Sequence, residues 1–274
     1  MMIFSTIYRL KMPINPRFYW GNEVIEILQN KDYELWNGDC LELMKDIPDK
    51  SIDMILCDLP YGTTKNEWDK PLSFDRLWEQ YNRIIKDNGA IVLFSQMPFT
   101  AQLVSSNLKM FRYEWIWQKS KSTGFMNAKK MPLKSHENIC IFYKNLPTYN
   151  PQGIKTGVSI KTGRSRKGNS RNYGKTGCGN PEYIQTISNY PKDIIYFSNP
   201  SNKGHKHANQ KPVPLLEYLV KTYTNKGDVV LDNCMGVGST GQACMNTNRR
   251  FIGIELSKEF FNIAEKELYI KEVE

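Results

Sequence analysis

The chain has 274 residues, 40% of them hydrophobic and 24% charged, with six cysteines and a formal net charge of +9. That length suits one large domain carrying an insert, able to bury roughly three quarters of the unfolded surface. No apolar run reaches bilayer length, Arg9, Lys11 and Pro13 interrupt the first residues, and no C-x-x-C pair occurs, so a membrane span, a signal peptide and a disulfide framework are not expected, and a cytoplasmic setting with reduced thiols is.

Residues 1–31 offer no usable pattern and are expected to be an extension. Tyr33 to Trp36 predict a strand closed by Gly38 and Asp39, with residues 40–46 as its crossover helix. The apolar run Ile52–Cys57 predicts a buried parallel strand, and Asp58-Leu59-Pro60-Tyr61 follows at its carboxyl end, where open α/β sheets bind ligands. Asp58 and the Leu59 carbonyl can accept both hydrogens of a planar amino group. Pro60 fixes φ and brings no competing N–H, and Tyr61 presents a flat face to the attached ring. Residues 62–69, with Thr63, Thr64 and Trp68, are expected to close over that site. Further strands are predicted at 89–95, 113–118 and 138–143, the last two joined by a loop carrying Lys119, Lys121, Lys129, Lys130 and Lys134. No chemistry is expected of Phe99, Trp115 or Trp117, and the His136-Glu137 pair reads as structural.

From residue 151 to residue 180 the chain carries Lys155, Lys161, Arg164, Arg166, Lys167, Arg171 and Lys175 without one acidic residue. Such a run is a solvated basic loop or a phosphate-binding surface; because counterion release dominates non-specific affinity for DNA, the second reading is preferred. His205 and His207 have no acid or cysteine cluster beside them, and no metal site is expected. A helix at 214–223 and a strand at 228–232 lead into Gly236-Val237-Gly238-Ser239-Thr240-Gly241, a literal G-x-G-x-x-G, and a strand at 251–254 ends in Glu255, about where a ribose-binding acid belongs. A tight turn without a ligand and a nicotinamide site are the rival readings. Against the latter, Asp232 at the strand end would repel a pyrophosphate but suit an ammonium group, and one helix after Glu255 leaves too little chain to complete a sheet. The other strands must come from the N-terminal half. Reading from Val229 onward and then from Tyr33 restores alternating α/β order, as in a circularly permuted chain.

This order resembles the beta class of amino-group DNA methyltransferases, whose catalytic motif is usually Asp-Pro-Pro-Tyr; Leu59 replaces the first proline. His207-Ala208-Asn209-Gln210-Lys211-Pro212 resembles the family's His-Pro-Thr-Gln-Lys-Pro, departing at Ala208 and Asn209, and Cys234 stands where phenylalanine is usual. The likeness covers residues 33–149 and 207–269. It implies a Rossmann-like α/β fold dependent on S-adenosyl-L-methionine (AdoMet), a mostly parallel seven-stranded sheet with an antiparallel last strand, circularly permuted. Residues 32–149 would form the catalytic half, 150–206 a target-recognition insert holding the basic run, and 207–274 the AdoMet-binding half. The implied cofactor residues are Asp39, against the adenine, with Lys211, Asp232, Gly236, Gly238, Ser239, Thr240 and Glu255. The implied reaction is methylation of N6 of a flipped adenine in DNA, Asp rather than Ser at position 58 favouring adenine. Cytosine N4 methylation would use the same residues. RNA or protein amide methylation and an inactive DNA-binding module are further alternatives. A cognate restriction endonuclease, a homodimer and a prokaryotic or phage source are compatible expectations.

Overall fold

The computed structural model describes residues 17–20, 23–62, 69–162, 182–200 and 210–273. In chain order its elements are β1 (Arg17–Trp20), β2 (Glu23–Gln29), β3 (Tyr33–Asn37), α1 (Cys40–Leu43), β4 (Ile52–Cys57), α2 (Phe74–Ile84), β5 (Ile85–Ser95), α3 (Phe99–Ser106), β6 (Phe111–Thr123), β7 (Lys134–Phe142), β8 (Lys155–Thr162), β9 (Glu182–Ser188), β10 (Ile194–Phe197), α4 (Val213–Tyr223), β11 (Val229–Asp232), α5 (Ser239–Asn246), β12 (Arg250–Glu255) and α6 (Lys258–Val273). A short 3-10 turn, Met44–Asp46, completes the helix expected at 40–46.

β4 is buried at every position except the half-buried Asp53, because it lies between two parallel partners, β11 and β5, with helices over both faces. Its alternation divides the core. Met54 and Leu56 pack with α4, α5 and α6 through Leu216, Leu219, Ala243 and Phe261. Ile55 and Cys57 pack with α1, α2 and α3 through Leu41, Leu77, Tyr81 and Leu103. β5 starts four residues earlier than residues 89–95 suggested, at Ile85, and its register against β4 shifts between Ile52 and Met54. Gly89 permits this, since a Cβ there would lie 2.9 Å from the Asp53 carbonyl oxygen and 2.7 Å from Ile85.

The ten-stranded sheet has the order β1-β2-β3-β12-β11-β4-β5-β7-β6-β10. β3, β12, β11, β4 and β5 are parallel, and β7 is antiparallel to both neighbours. The seven expected strands are therefore present with the expected antiparallel member, but three more widen the sheet. β1 and β2, from the stretch expected to be a featureless extension, add antiparallel at one edge. At the other edge β10 lies parallel on β6. β10 is a half-buried edge strand, Ile195 being buried between exposed Ile194 and Tyr196. Within the stretch 150–206 a separate compact unit spans Pro151–Lys192 and contains the antiparallel hairpin of β8 and β9. No described helix is long and apolar enough to cross a membrane.

From β4 the chain proceeds to β5 on one side, and from β11 to β12 on the other. The adjacent pair β4 and β11 is thus a topological switch point, the place where crossovers diverge and leave a crevice beyond the carboxyl ends of the strands.

Candidate active site

That crevice is a cleft of about 640 Å³ whose lining includes Asp39, Asp58, Tyr61, Lys211, Asp232 and Glu255. The volume is in the range of small-molecule sites. Its floor on the β11 side is the glycine turn, where Gly236 and Gly238 adopt left-handed φ of 54° and 83°. At Gly238 a Cβ would also press on Ala264 at 3.1 Å, so glycine is required there by conformation and by close approach. The Glu255 carboxylate spans this turn: Oε2 accepts from the Gly236 N–H at 2.9 Å and Oε1 from the Ser257 N–H at 2.7 Å. Asp232 accepts from the Thr240 hydroxyl at 2.6 Å and the Cys234 N–H at 3.1 Å. Asp39 caps α1, accepting from the Leu41 N–H at 2.8 Å. Ser239 opens α5 beside the cleft.

Burial leaves both inner acids short of positive charge. Asp232 is 4% exposed, and desolvation pushes its pKa up to about 6 despite the two hydrogen bonds. Glu255 is raised for the same reason, against three backbone N–H groups that favour its charge. A cleft with one buried acid seeking a cation and another seeking further donors fits a ligand bearing an ammonium group and a ribose diol, as AdoMet does.

The β4 end is a chain of charges. The Tyr61 hydroxyl donates to Asp58 Oδ1 at 2.6 Å, and the Tyr61 ring stacks on Phe99 at 4.8 Å and 27°. Lys211 donates to Asp58 Oδ2 and lies 3.2 Å from Glu137, which also pairs with Lys119 at 2.5 Å. The side chains of Lys119, Glu137 and Lys211 are only 8%, 12% and 11% exposed. Phe94 and Trp117 lie under the two ammonium groups at 5.1 and 5.3 Å. Burial opposes the charge on Glu137, but Lys211 and Lys119 outweigh it and hold the carboxyl below its usual range. Burial likewise opposes the charge on Lys211, and Asp58 and Glu137 more than offset it, raising its pKa. Burial and the Asp58 charge keep the Tyr61 phenol protonated.

Lys211, expected among the cofactor residues, lines the cleft, and its ammonium pairs with Asp58 and Glu137. Glu137 and Lys119, expected to be a structural pair member and a loop lysine, also line the cleft and join this chain of charges. The one available signal was an acid opening an otherwise apolar strand. Of the expected lid, the Gly62 N–H donates to the buried Asp69 at 2.8 Å, whereas Thr63, Thr64 and Trp68 lie outside the described residues. Of the basic run, Lys155 is exposed on β8 and Lys161 pairs in register with Tyr183, while Arg164, Arg166, Lys167, Arg171 and Lys175 lie outside the described residues, as do His205 and His207. Among the described residues no cluster of His, Cys, Asp or Glu could hold a metal ion, and Cys40, Cys57, Cys140, Cys234 and Cys244 are free thiols.

Residues 52–266 match the family model described as DNA methylase, of N6 and N4 methyltransferases. The chain is similar to the DNA adenine methyltransferase YhdJ of Escherichia coli, 28% identical over 264 residues, covering 91% of this chain and 84% of that one. It is similar to the type II methyltransferase M.HpaI of Haemophilus parainfluenzae, 29% identical with 86% and 74% of the two chains covered. Among solved structures, the M1.HpyAVI complex with AdoMet superposes with a TM-score of 0.61 at 24% identity, over 86% of this chain and 98% of that one. The cytosine-N4-specific PvuII methyltransferase gives 0.63 at 15%, over 89% and 92%. At such identities the structural likeness speaks for the fold.

Proposed function

The chain belongs to the DNA methylase family and transfers the methyl group of AdoMet to an exocyclic amino group of DNA, and from that premise we propose that its target is N6 of an adenine flipped out of the duplex. The observation that carries the proposal is Asp58, paired with Lys211 at the β4 end of the same cleft whose β11 end presents Asp232 and Glu255. In this reading Asp232 takes the cofactor ammonium, Glu255 the ribose hydroxyls and Asp39 the adenine, while Gly236 and Gly238 let the backbone approach closely.

AdoMet supplies a methyl group on a positively charged sulfur, open to attack from the opposite side. The protein's own task is to make a poor nucleophile competent. Each Asp58 oxygen accepts one hydrogen bond, from Tyr61 or Lys211, and retains capacity for another. The target amine gives one hydrogen to Asp58 and the other to the Leu59 carbonyl, which draws its nitrogen out of conjugation and aims the lone pair at the methyl group. Lys211, backed by Glu137, pairs with Asp58 and fixes its carboxylate in position, where it can receive the proton the methylated nitrogen must lose. Stacking on Tyr61, itself braced by Phe99, offsets part of the few kcal/mol that flipping costs.

Asp rather than Ser at position 58 and the adenine specificity of YhdJ support adenine over cytosine. The run of elements from β11 through α6 and then from β3 supports a circular permutation. The basic run of the insert supports phosphate binding there, and the type II relatives support pairing with a restriction endonuclease. Purified protein with methyl-labelled AdoMet should label DNA, and Asp58→Ala should abolish labelling while leaving AdoMet affinity within a few-fold. Labelling that survives the substitution would overturn the assignment of Asp58.

A further inference from the structure

β6 and β7 run on past the sheet as an arm. Their ladder continues to Thr123 opposite Lys134, and the Ser122 and Ser135 hydroxyls meet across it at 2.7 Å. Apart from Leu133, every residue from 120 to 136 is exposed. The arm is nonetheless fixed at its root: Asn199 Oδ1 accepts from the Lys121 N–H at 3.1 Å, the Asn199 N–H donates to Ser120 at 2.9 Å, and Lys134 donates to Gln96 at 2.9 Å. Lys119, Thr123, Gln96 and Asn199 all line the cleft. Because β7 reverses between them, β6 runs parallel to β4, and the arm leaves the same sheet edge that bears Asp58. At its tip Gly124, at φ 88°, turns the chain into Phe125 and Met126, which are 78% and 100% exposed. Lys121, Lys129, Lys130 and Lys134 flank them along the arm, and no acid lies between Lys119 and Glu137.

Two large apolar side chains held in water at the end of an anchored arm, among lysines and beside a cleft for a flipped base, are complementary to a base stack between phosphates. We propose that this arm is a DNA wedge: Phe125 and Met126 enter the duplex where the target base has left, and the lysines along the arm hold the flanking phosphates. Apolar wedges lower the cost of an opened step by standing in for the broken stacking. The inference rests on the reading that the substrate is a base flipped from duplex DNA.

The test is the double variant Phe125→Ala, Met126→Ala on duplexes carrying the site that the wild-type protein methylates, mapped from its own product DNA. With the target base paired, kcat/KM should fall on the order of tenfold to a hundredfold, and the fluorescence rise of 2-aminopurine at the target position on binding should be abolished. With an abasic position opposite the target, where little stacking or pairing must be broken, the variant should approach wild-type rates. Its AdoMet affinity, measured by calorimetry, should be unchanged. Equal rates for variant and wild type on the paired duplex would overturn the wedge, and so would equal losses on both duplexes. A variant that flips normally but no longer self-associates in sedimentation would assign the tip to a second copy of the chain instead. Absence of transfer by the wild-type protein to any DNA, with AdoMet bound, would overturn the functional reading and the wedge with it.

Discussion

AdoMet affinity should be strongly pH-dependent below about pH 6 through Asp232. In the free protein desolvation places this carboxyl at about 6 against an ordinary 3.8. With the folded value raised, protonation favours the fold: the contribution is full below pH 3.8 and is lost as pH rises through 6, a difference of about 3 kcal/mol. An ammonium group bound beside Asp232 reverses this preference, since it stabilises the ionised form in the complex. Affinity should thus level off about one unit above pH 6, where the ammonium is still largely protonated, and fall up to tenfold per pH unit beneath pH 6, reaching roughly a hundredfold if the bound state restores the ordinary value. The ligand ammonium stays largely protonated up to about pH 7, because α-amino groups titrate near 8, so the fall on the acid side belongs to the protein. Glu255, raised by the same burial, adds to the slope in the same direction when ribose hydroxyls donate to it. Calorimetry from pH 5 to 7.5, in two buffers of different ionisation enthalpy, measures both affinity and proton release. Asp232→Asn should weaken binding at pH 7.5 and flatten the profile. A wild-type affinity independent of pH, or an Asn variant with the same slope, would refute the placement of the ammonium at Asp232.

Glu137→Ala leaves Lys119 and Lys211 buried without their shared partner and should cost about 3 to 5 kcal/mol of stability, read as a lower urea midpoint; a change under 1 kcal/mol would mean that the charge chain is open to solvent. In the insert, Arg164, Arg166, Lys167 and Arg171 replaced together by Gln should weaken DNA binding and flatten its salt dependence by roughly 0.9 log units for each phosphate no longer neutralised, with AdoMet affinity unchanged. A preserved salt slope would leave that run a solvated loop.

The apolar strands and the two acid-terminated turns were legible because burial on both faces leaves an uninterrupted mark, as in Ile52–Cys57, and because glycine at positive φ has few substitutes. What escaped the sequence lies at the edges. Arg17–Trp20 and Ile194–Phe197 are short strands, each paired on one side only among the described residues, and brevity hides their alternation. The arm read as a loop because its ladder is made of backbone bonds between hydrophilic residues, with no buried face to impose a period. The link from Lys211 through Glu137 to Lys119 joins residues up to 92 positions apart, by way of the antiparallel β7 lying between β5 and β6. Spacing along the chain carries no trace of such a link. Likewise, Lys211 could be placed near the cleft by its motif, but only the three-dimensional position of Asp58 decides which anion it meets.

The central claim is the identity of the methylated atom, and nucleoside mass spectrometry tests it most directly. DNA from a methylation-deficient host expressing the protein should yield N6-methyladenine, absent when Asp58→Ala is expressed at the same level. N4-methylcytosine as the only new nucleoside, or N6-methyladenine undiminished in the variant, would contradict the account.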